Sequence, residues 1–106
     1  MFVRKVTALL KPNNISKFSL TMEQEVLPIL RKQSGFQDAL TFFAPNEDAV
    51  TGITLWDKAS SAEVYSRRTY PDILQRLAAV IEGTPEIDTY EVVNCTFQRI
   101  AAARAA

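Results

Sequence analysis

Histidine is missing from all 106 residues of the chain. Its absence removes Ser-His-Asp and Cys-His nucleophilic chemistry, the usual zinc sites and a histidine haem ligand from within the chain. Cysteine occurs once, at Cys95, so no intrachain disulfide can form and nothing points to an oxidising compartment. Gly35, Gly52 and Gly83 stand far apart, which excludes a glycine-rich phosphate cradle. Net charge is absent as well. Twelve basic residues cancel 12 acidic ones and are scattered, so neither nucleic acid nor a membrane surface is expected as a partner. No apolar run is long enough to span a bilayer. The opening MFVRKVTALLK carries charges inside its apolar stretch, unlike the core of a signal peptide. A cytoplasmic protein that starts directly with its first strand is the expectation.

What is present is globular. The apolar fraction is 47% and the charged fraction 23%, the composition of one domain small enough to benefit from an oligomeric partner. Phe2 to Leu10 alternates, with charge at Arg4 and Lys5, and reads as a strand. Lys11-Pro12-Asn13-Asn14 breaks it, and either Asn can cap the helix that follows. From Ile15, apolar residues at Phe18, Met22, Val26, Ile29 and Leu30 line one helical face. Pro28 interrupts that helix and predicts a kink, and Gly35 is the natural residue to end it.

Phe36 to Ala44 reads as the second strand, with Phe42 and Phe43 on opposite faces. Pro45-Asn46-Glu47-Asp48 is a hairpin connection to the third strand, Ala49 to Trp56. On that strand Val50, Gly52, Thr54 and Trp56 share one face, and Thr51, Ile53 and Leu55 the other. Ser60-Ser61-Ala62-Glu63 reads as a capping box, with Ser60 as N-cap. Thr69-Tyr70-Pro71 restarts the helix, which is predicted to run to about Glu82 and close at Gly83. Thr84-Pro85 is then a loop, and Ile87 to Phe97 the fourth strand.

The order βαββαβ predicts a ferredoxin-like α+β sandwich with a four-stranded antiparallel sheet and both helical segments on one face. One domain over 1–100 with an Ala-rich tail at 101–106 is the expected organisation. The helix-free face would then carry Phe42 or Phe43, Ile53, Leu55, and either Tyr90 and Val92 or Val93 and Phe97. A sheet face this apolar is expected to pack on a second copy, giving a homodimer.

With these residues in view, the chain resembles the antibiotic biosynthesis monooxygenase-like family of the dimeric α+β barrel superfamily. The matching stretches are EVLPILRKQSGF on the first helix, LWDKASSAEVY at the end of the third strand, TYPDILQRLAAVIEGTP and TYEVVNCTF. Together they cover residues 1–100. The resemblance implies a homodimer whose two sheets form a barrel, with a pocket in each subunit between sheet and helices. It implies oxidation of an electron-rich aromatic, of phenol or quinol type, by molecular oxygen without a cofactor or metal. The alternative is a non-catalytic dimer that binds a small apolar or aromatic ligand, or is purely structural. Haem-degrading members use a histidine ligand, which this chain lacks. Oxygenating members combine an Asn with the Trp of the third strand, whereas four residues before Trp56 this chain has Gly52.

The pocket candidates each carry a bland reading beside the functional one. Trp56 is a stacking wall or ordinary core. Tyr65 and Tyr70 are hydrogen-bond donors into a pocket, or phenols with wet tips. Arg76 is an orienting cation or a solvated helix residue, as are Arg67 and Arg68. Asn94 is the one amide expected near the middle of the sheet, and Phe42 an apolar wall. Gly52 leaves a hollow under the helices. Cys95 reads as a small buried hydrophobe.

Overall fold

The computed structural model describes residues 1–97. Four strands, β1 (Phe2–Leu10), β2 (Phe36–Ala44), β3 (Ala49–Trp56) and β4 (Ile81–Glu91), form one sheet in the order β2-β3-β1-β4, every neighbouring pair antiparallel. Four helices connect them: α1 (Ile15–Thr21), α2 (Leu27–Arg31), α3 (Ala59–Arg68) and α4 (Tyr70–Leu77). Phe18, Val26 and Leu30 from the first crossover and Tyr65, Ile73 and Leu77 from the second join Ala8, Leu10, Val50 and Trp56 in one core. All helices therefore cover one face of the sheet, as the ferredoxin-like pattern requires.

Proline chemistry shapes the first crossover. Pro28 has no N–H for the Gln24 carbonyl, and the chain answers with a π turn over Met22–Val26, in which the Leu27 N–H donates to the Met22 carbonyl. The expected kink thus takes the form of a widened turn, after which Pro28 sits in the first turn of α2, where a missing donor costs nothing. Gln33 continues the link between the crossovers: its amide donates to Ile29 O at 3.1 Å while its oxygen accepts from the Thr69 hydroxyl at 3.0 Å.

Gly35 has φ +82°, a left-handed conformation that a side chain would strain. A β-carbon there would also lie 2.6 Å from Ser61 Cβ and collide with Asp57 Oδ1 and Ser61 Oγ. This tight corner is held by Asp57 N–H donating to Gly35 O at 2.9 Å and by the Ser61 hydroxyl donating to Asp57 Oδ1 at 2.6 Å. The same contacts correct the expected capping box. Lys58, in extended conformation, is the N-cap of α3, and no side chain caps it. Ser61 bonds Asp57 instead, which ties the helix start to the β3 end.

The fourth strand differs most from expectation. Helix α4 ends at Leu77 and β4 begins at Ile81, so Gly83 and the Thr84-Pro85 pair lie inside the strand. The register jumps there: Thr7 faces Glu86 while Leu9 faces Glu82. Gly83, at φ +73°, supplies the left-handed residue of this bulge, and Pro85 sits where the ladder is already broken. Pairing ends at Glu91, so residues 92–97, read from sequence as strand, follow without regular structure apart from Val92 N–H bonding Met1 O at 3.1 Å. The Ala-rich tail at 101–106 and the last residues of the 1–100 domain lie outside the described residues.

The helix-free face alternates as pattern dictates. Leu40 and Phe42 of β2, Leu9 of β1 and Tyr90 of β4 are exposed on it, each about half accessible. Lys5 stands opposite Asp88 between them.

Candidate functional site

The candidate site lies between the sheet and the helices. Phe2, Arg4, Val6, Ala8 and Leu10 share the inward face of β1, because side chains alternate along a strand. Arg4 is the one charge in that series, and it is 3% exposed. Its neighbours on β3 are Thr54 and Gly52, through the pairs Arg4 with Thr54 and Val6 with Gly52. Helices α3 and α4 place Tyr65 and Tyr70 above them. The guanidinium carbon of Arg4 lies 4.0 Å from the Tyr70 ring centre and 5.4 Å from that of Tyr65, stacked as cation on π-faces.

These groups close the polar end of a cavity of about 80 Å³, walled otherwise by Val6, Ala8, Phe18, Met22, Val26, Val50, Ile73 and Leu77. Arg4 is the sole charged residue lining it, and among the described residues no carboxylate comes within ion-pair distance of Arg4. Gly52 leaves the hollow expected of it: a β-carbon there would meet only Thr41 Oγ1, at 3.8 Å. The cavity shares Phe18, Met22, Ala39, Thr41 and Val50 with an outer groove of about 480 Å³ between α1 and the edge strand β2. Met22, the first residue of the π turn, stands at the junction of the two.

Both phenols are held neutral. Burial pushes the Tyr65 hydroxyl up to about 12, against the opposing charge of Arg4, with Tyr70 adding to the rise. Burial likewise raises Tyr70, again opposed by Arg4. The Tyr70 hydroxyl is buried without a partner in hydrogen-bond geometry: the Arg4 guanidinium lies over the ring and reaches toward the oxygen closely enough to oppose the rise through its charge and a weak N–H contact, but falls short of a well-formed bond. An unbonded buried hydroxyl beside an unpaired guanidinium is unspent polar capacity, since buried polar groups are ordinarily satisfied.

Of the residues singled out from sequence, Tyr65 and Tyr70 line the cavity. Trp56 does not. It is fully buried behind Tyr65, ring centres 4.9 Å apart, with Phe36 edge-on at 5.7 Å and its indole N–H donating to Thr54 Oγ1 at 2.9 Å. It is a wall one layer out that holds Tyr65 in place. Arg76 lies on the outer surface of α4, donating to Asp72 and to Glu25 at 3.0 Å each and fastening α4 to the π turn; it is not among the residues lining the cavity. Asn94 lies beyond the end of β4, exposed, and does not line the cavity. Phe42 borders only the outer groove. Cys95 is half-buried in the same irregular segment as Asn94 and accepts from Phe97 N–H at 3.3 Å. Arg4 is the residue that the sequence reading passed over as part of a charged pair. Its signal was its place in the alternation, inward between Phe2 and Val6.

The chain has the α+β fold of solved antibiotic biosynthesis monooxygenases. A monooxygenase of Streptomyces coelicolor, solved in complex with the ligand nanaomycin D, superposes with TM-score 0.75, 18% identity, and coverage of 91% of this chain and 90% of that one. A protein of unknown function from Nitrosomonas europaea gives TM-score 0.76 at 15% identity, covering 91% and 92%. A Bordetella bronchiseptica protein assigned to the antibiotic biosynthesis monooxygenases gives 0.74 at 11% identity, covering 88% and 98%. No protein-family profile and no curated protein matches the chain. Among the described residues no helix is long and apolar enough to cross a membrane, and no cluster of three or more potential metal ligands occurs.

Proposed function

We propose that the protein is a cofactor-independent monooxygenase that oxidises a small electron-rich aromatic, of phenol or quinol type, within the cavity. The observation that carries the reading is an apolar-walled cavity whose polar end holds two neutral phenols and a cation. In such a place a bound phenolate loses its hydration shell and becomes a better electron donor. Transfer of one electron to oxygen gives a substrate radical beside superoxide, and their combination forms a C–O bond. Loss of the carbon-bound proton, with cleavage of the O–O bond, leaves a quinone and releases water. The substrate supplies all four electrons, so phenol plus oxygen yields quinone plus water with no external reductant. Tyr70 and Tyr65 serve as proton donors to the departing oxygen, and Trp56 keeps Tyr65 in position.

The working unit is proposed to be a homodimer, in which Leu9, Leu40, Phe42 and Tyr90 bury their exposed surface against a second copy. A second reading, a non-catalytic dimer binding a small ligand, draws support from Gly52, which leaves the cavity without an amide on that strand. Oxygen consumption over a panel of phenols and quinols, without added metal, flavin or nicotinamide, separates the two. Quinone formed one-to-one with oxygen consumed is the expected result, and no uptake across the panel leaves the non-catalytic reading. Sedimentation at micromolar concentration tests the dimer, and a monomer there overturns it.

A further inference from the structure

The geometry points to Arg4 as an anion hook: the cavity takes a flat aromatic ligand as its monoanion, with the ligand's oxygen on the Arg4 guanidinium. Four observations meet here. Arg4 is buried, no carboxylate among the described residues lies within ion-pair distance of it, its guanidinium carbon sits over the Tyr70 and Tyr65 rings with no hydrogen-bond acceptor for its side chain among the described residues, and the neighbouring Tyr70 hydroxyl is unbonded. A buried charge is ordinarily paired or hydrogen-bonded. The fork of a guanidinium matches a phenolate or carboxylate oxygen better than any neutral group. The apolar walls then take the ring, and the Tyr70 hydroxyl is within the same lining to donate a second bond. Among the described residues no acid lines the cavity itself. Tyr65 and Tyr70 face Arg4 from α3 and α4, Thr54 of β3 and Thr89 of β4 flank it in the sheet, and Thr41 adds a hydroxyl to the lining. The acids bordering the region are Glu91, exposed on the same sheet face two residues beyond Thr89 and outside ion-pair distance, and Glu23, out in the groove.

This assignment rests on the cavity being the ligand site, but not on oxidation occurring there. It therefore has a readout other than turnover. 4-Nitrophenol absorbs visibly as phenolate and not as phenol, so its ionisation can be followed while bound. With protein in excess, the ionisation midpoint of the bound ligand is expected to fall at least one pH unit below that of free 4-nitrophenol, the equivalent of at least tenfold tighter binding of the anion. Arg4→Gln is expected to move the bound midpoint to or above the free value, because only desolvation then remains. Arg4→Lys should keep the downward direction. Benzoate should displace 4-nitrophenol from the wild-type protein at a concentration at least tenfold lower than benzamide, a comparison that stands even if an Arg4 variant fails to fold. A bound midpoint equal to or above the free one, an Arg4→Gln midpoint still lowered, equal displacement by benzoate and benzamide, or no complex at millimolar concentration each overturns the assignment. An anion complex without oxygen uptake removes the monooxygenase and leaves the anion hook. Uptake that is indifferent to Arg4→Gln does the reverse.

Discussion

If Arg4 is kept for a ligand, the fold should be better without it. Replacing it by methionine retains most of the apolar stem and deletes the charge. The buried guanidinium carries an effective desolvation cost of several kcal/mol, with no carboxylate among the described residues close enough to offset it. What it gains is cation–π attraction: about 2 kcal/mol for the close Tyr70 contact at 4.0 Å, and up to about 1 kcal/mol for Tyr65 at 5.4 Å. The balance favours the apolar replacement by about 2 kcal/mol. For a domain of this length that corresponds to a rise of roughly 10 °C in the thermal midpoint. Urea unfolding followed by the fluorescence of Trp56 measures it directly. The midpoint concentration should increase with an unchanged slope, at one fixed protein concentration so that any self-association is held constant. A variant less stable than wild type by about 1 kcal/mol or more would refute the reasoning. It would mean that Arg4 and the two rings form a structural unit, with the cation–π gain exceeding the cost of burial.

Three further outcomes follow from the same geometry. Gly35→Ala should lose at least about 2 kcal/mol in the same unfolding assay, from left-handed strain of about 1–2 kcal/mol plus the clash with Ser61 and Asp57; a neutral result would mean the corner relaxes freely. Gly52→Ala should gain about 0.5–1 kcal/mol, because its backbone is ordinary and the new methyl meets only Thr41 at 3.8 Å, while it weakens 4-nitrophenol binding by filling the hollow. The folded protein holds the Tyr65 proton to about 12 whereas the unfolded chain releases it near the ordinary 10.0. Between those values the unfolded state binds fewer protons, so stability is fully present below pH 10 and falls by up to about 2–3 kcal/mol as pH rises to 12; Tyr65→Phe should flatten that slope in alkaline unfolding curves.

How far the fold could be read in advance depended on the range of the interaction that decided each feature. Strands β1, β2 and β3 were legible because alternation and the Pro45–Asp48 connection are local, and two-residue periodicity assigns faces without further information. Helix α4 was legible at its start from Pro71 in the first turn, although the Thr69 hydroxyl, expected to cap it, bonds Gln33 of the first crossover instead. The helix end was not. Ile81, Gly83 and Pro85 suit a helix end and a loop by propensity, but β1 offers a long edge, and pairing with it draws Ile81–Glu91 into the sheet through a bulge. Ser60 lost its cap role because Asp57, anchored to Gly35 across 22 residues, captured Ser61 first.

The candidate site divides in the same way. Tyr65 and Tyr70 were marked as candidates by their place beside the third strand and at a helix break, and the alternation of residues 2–10 already put Arg4 on the inward side. Sequence alone therefore determined which residue types face inward, since a strand's period is set by covalent geometry. Only the tertiary structure decided that Arg4 has no acidic partner among the described residues, that Trp56 stands one layer behind the cavity, and that Arg76 is spent on Asp72 and Glu25. Those facts depend on which side chains from distant segments arrive at the same place, and chain order carries no distance between them until the sheet and the two crossovers have closed.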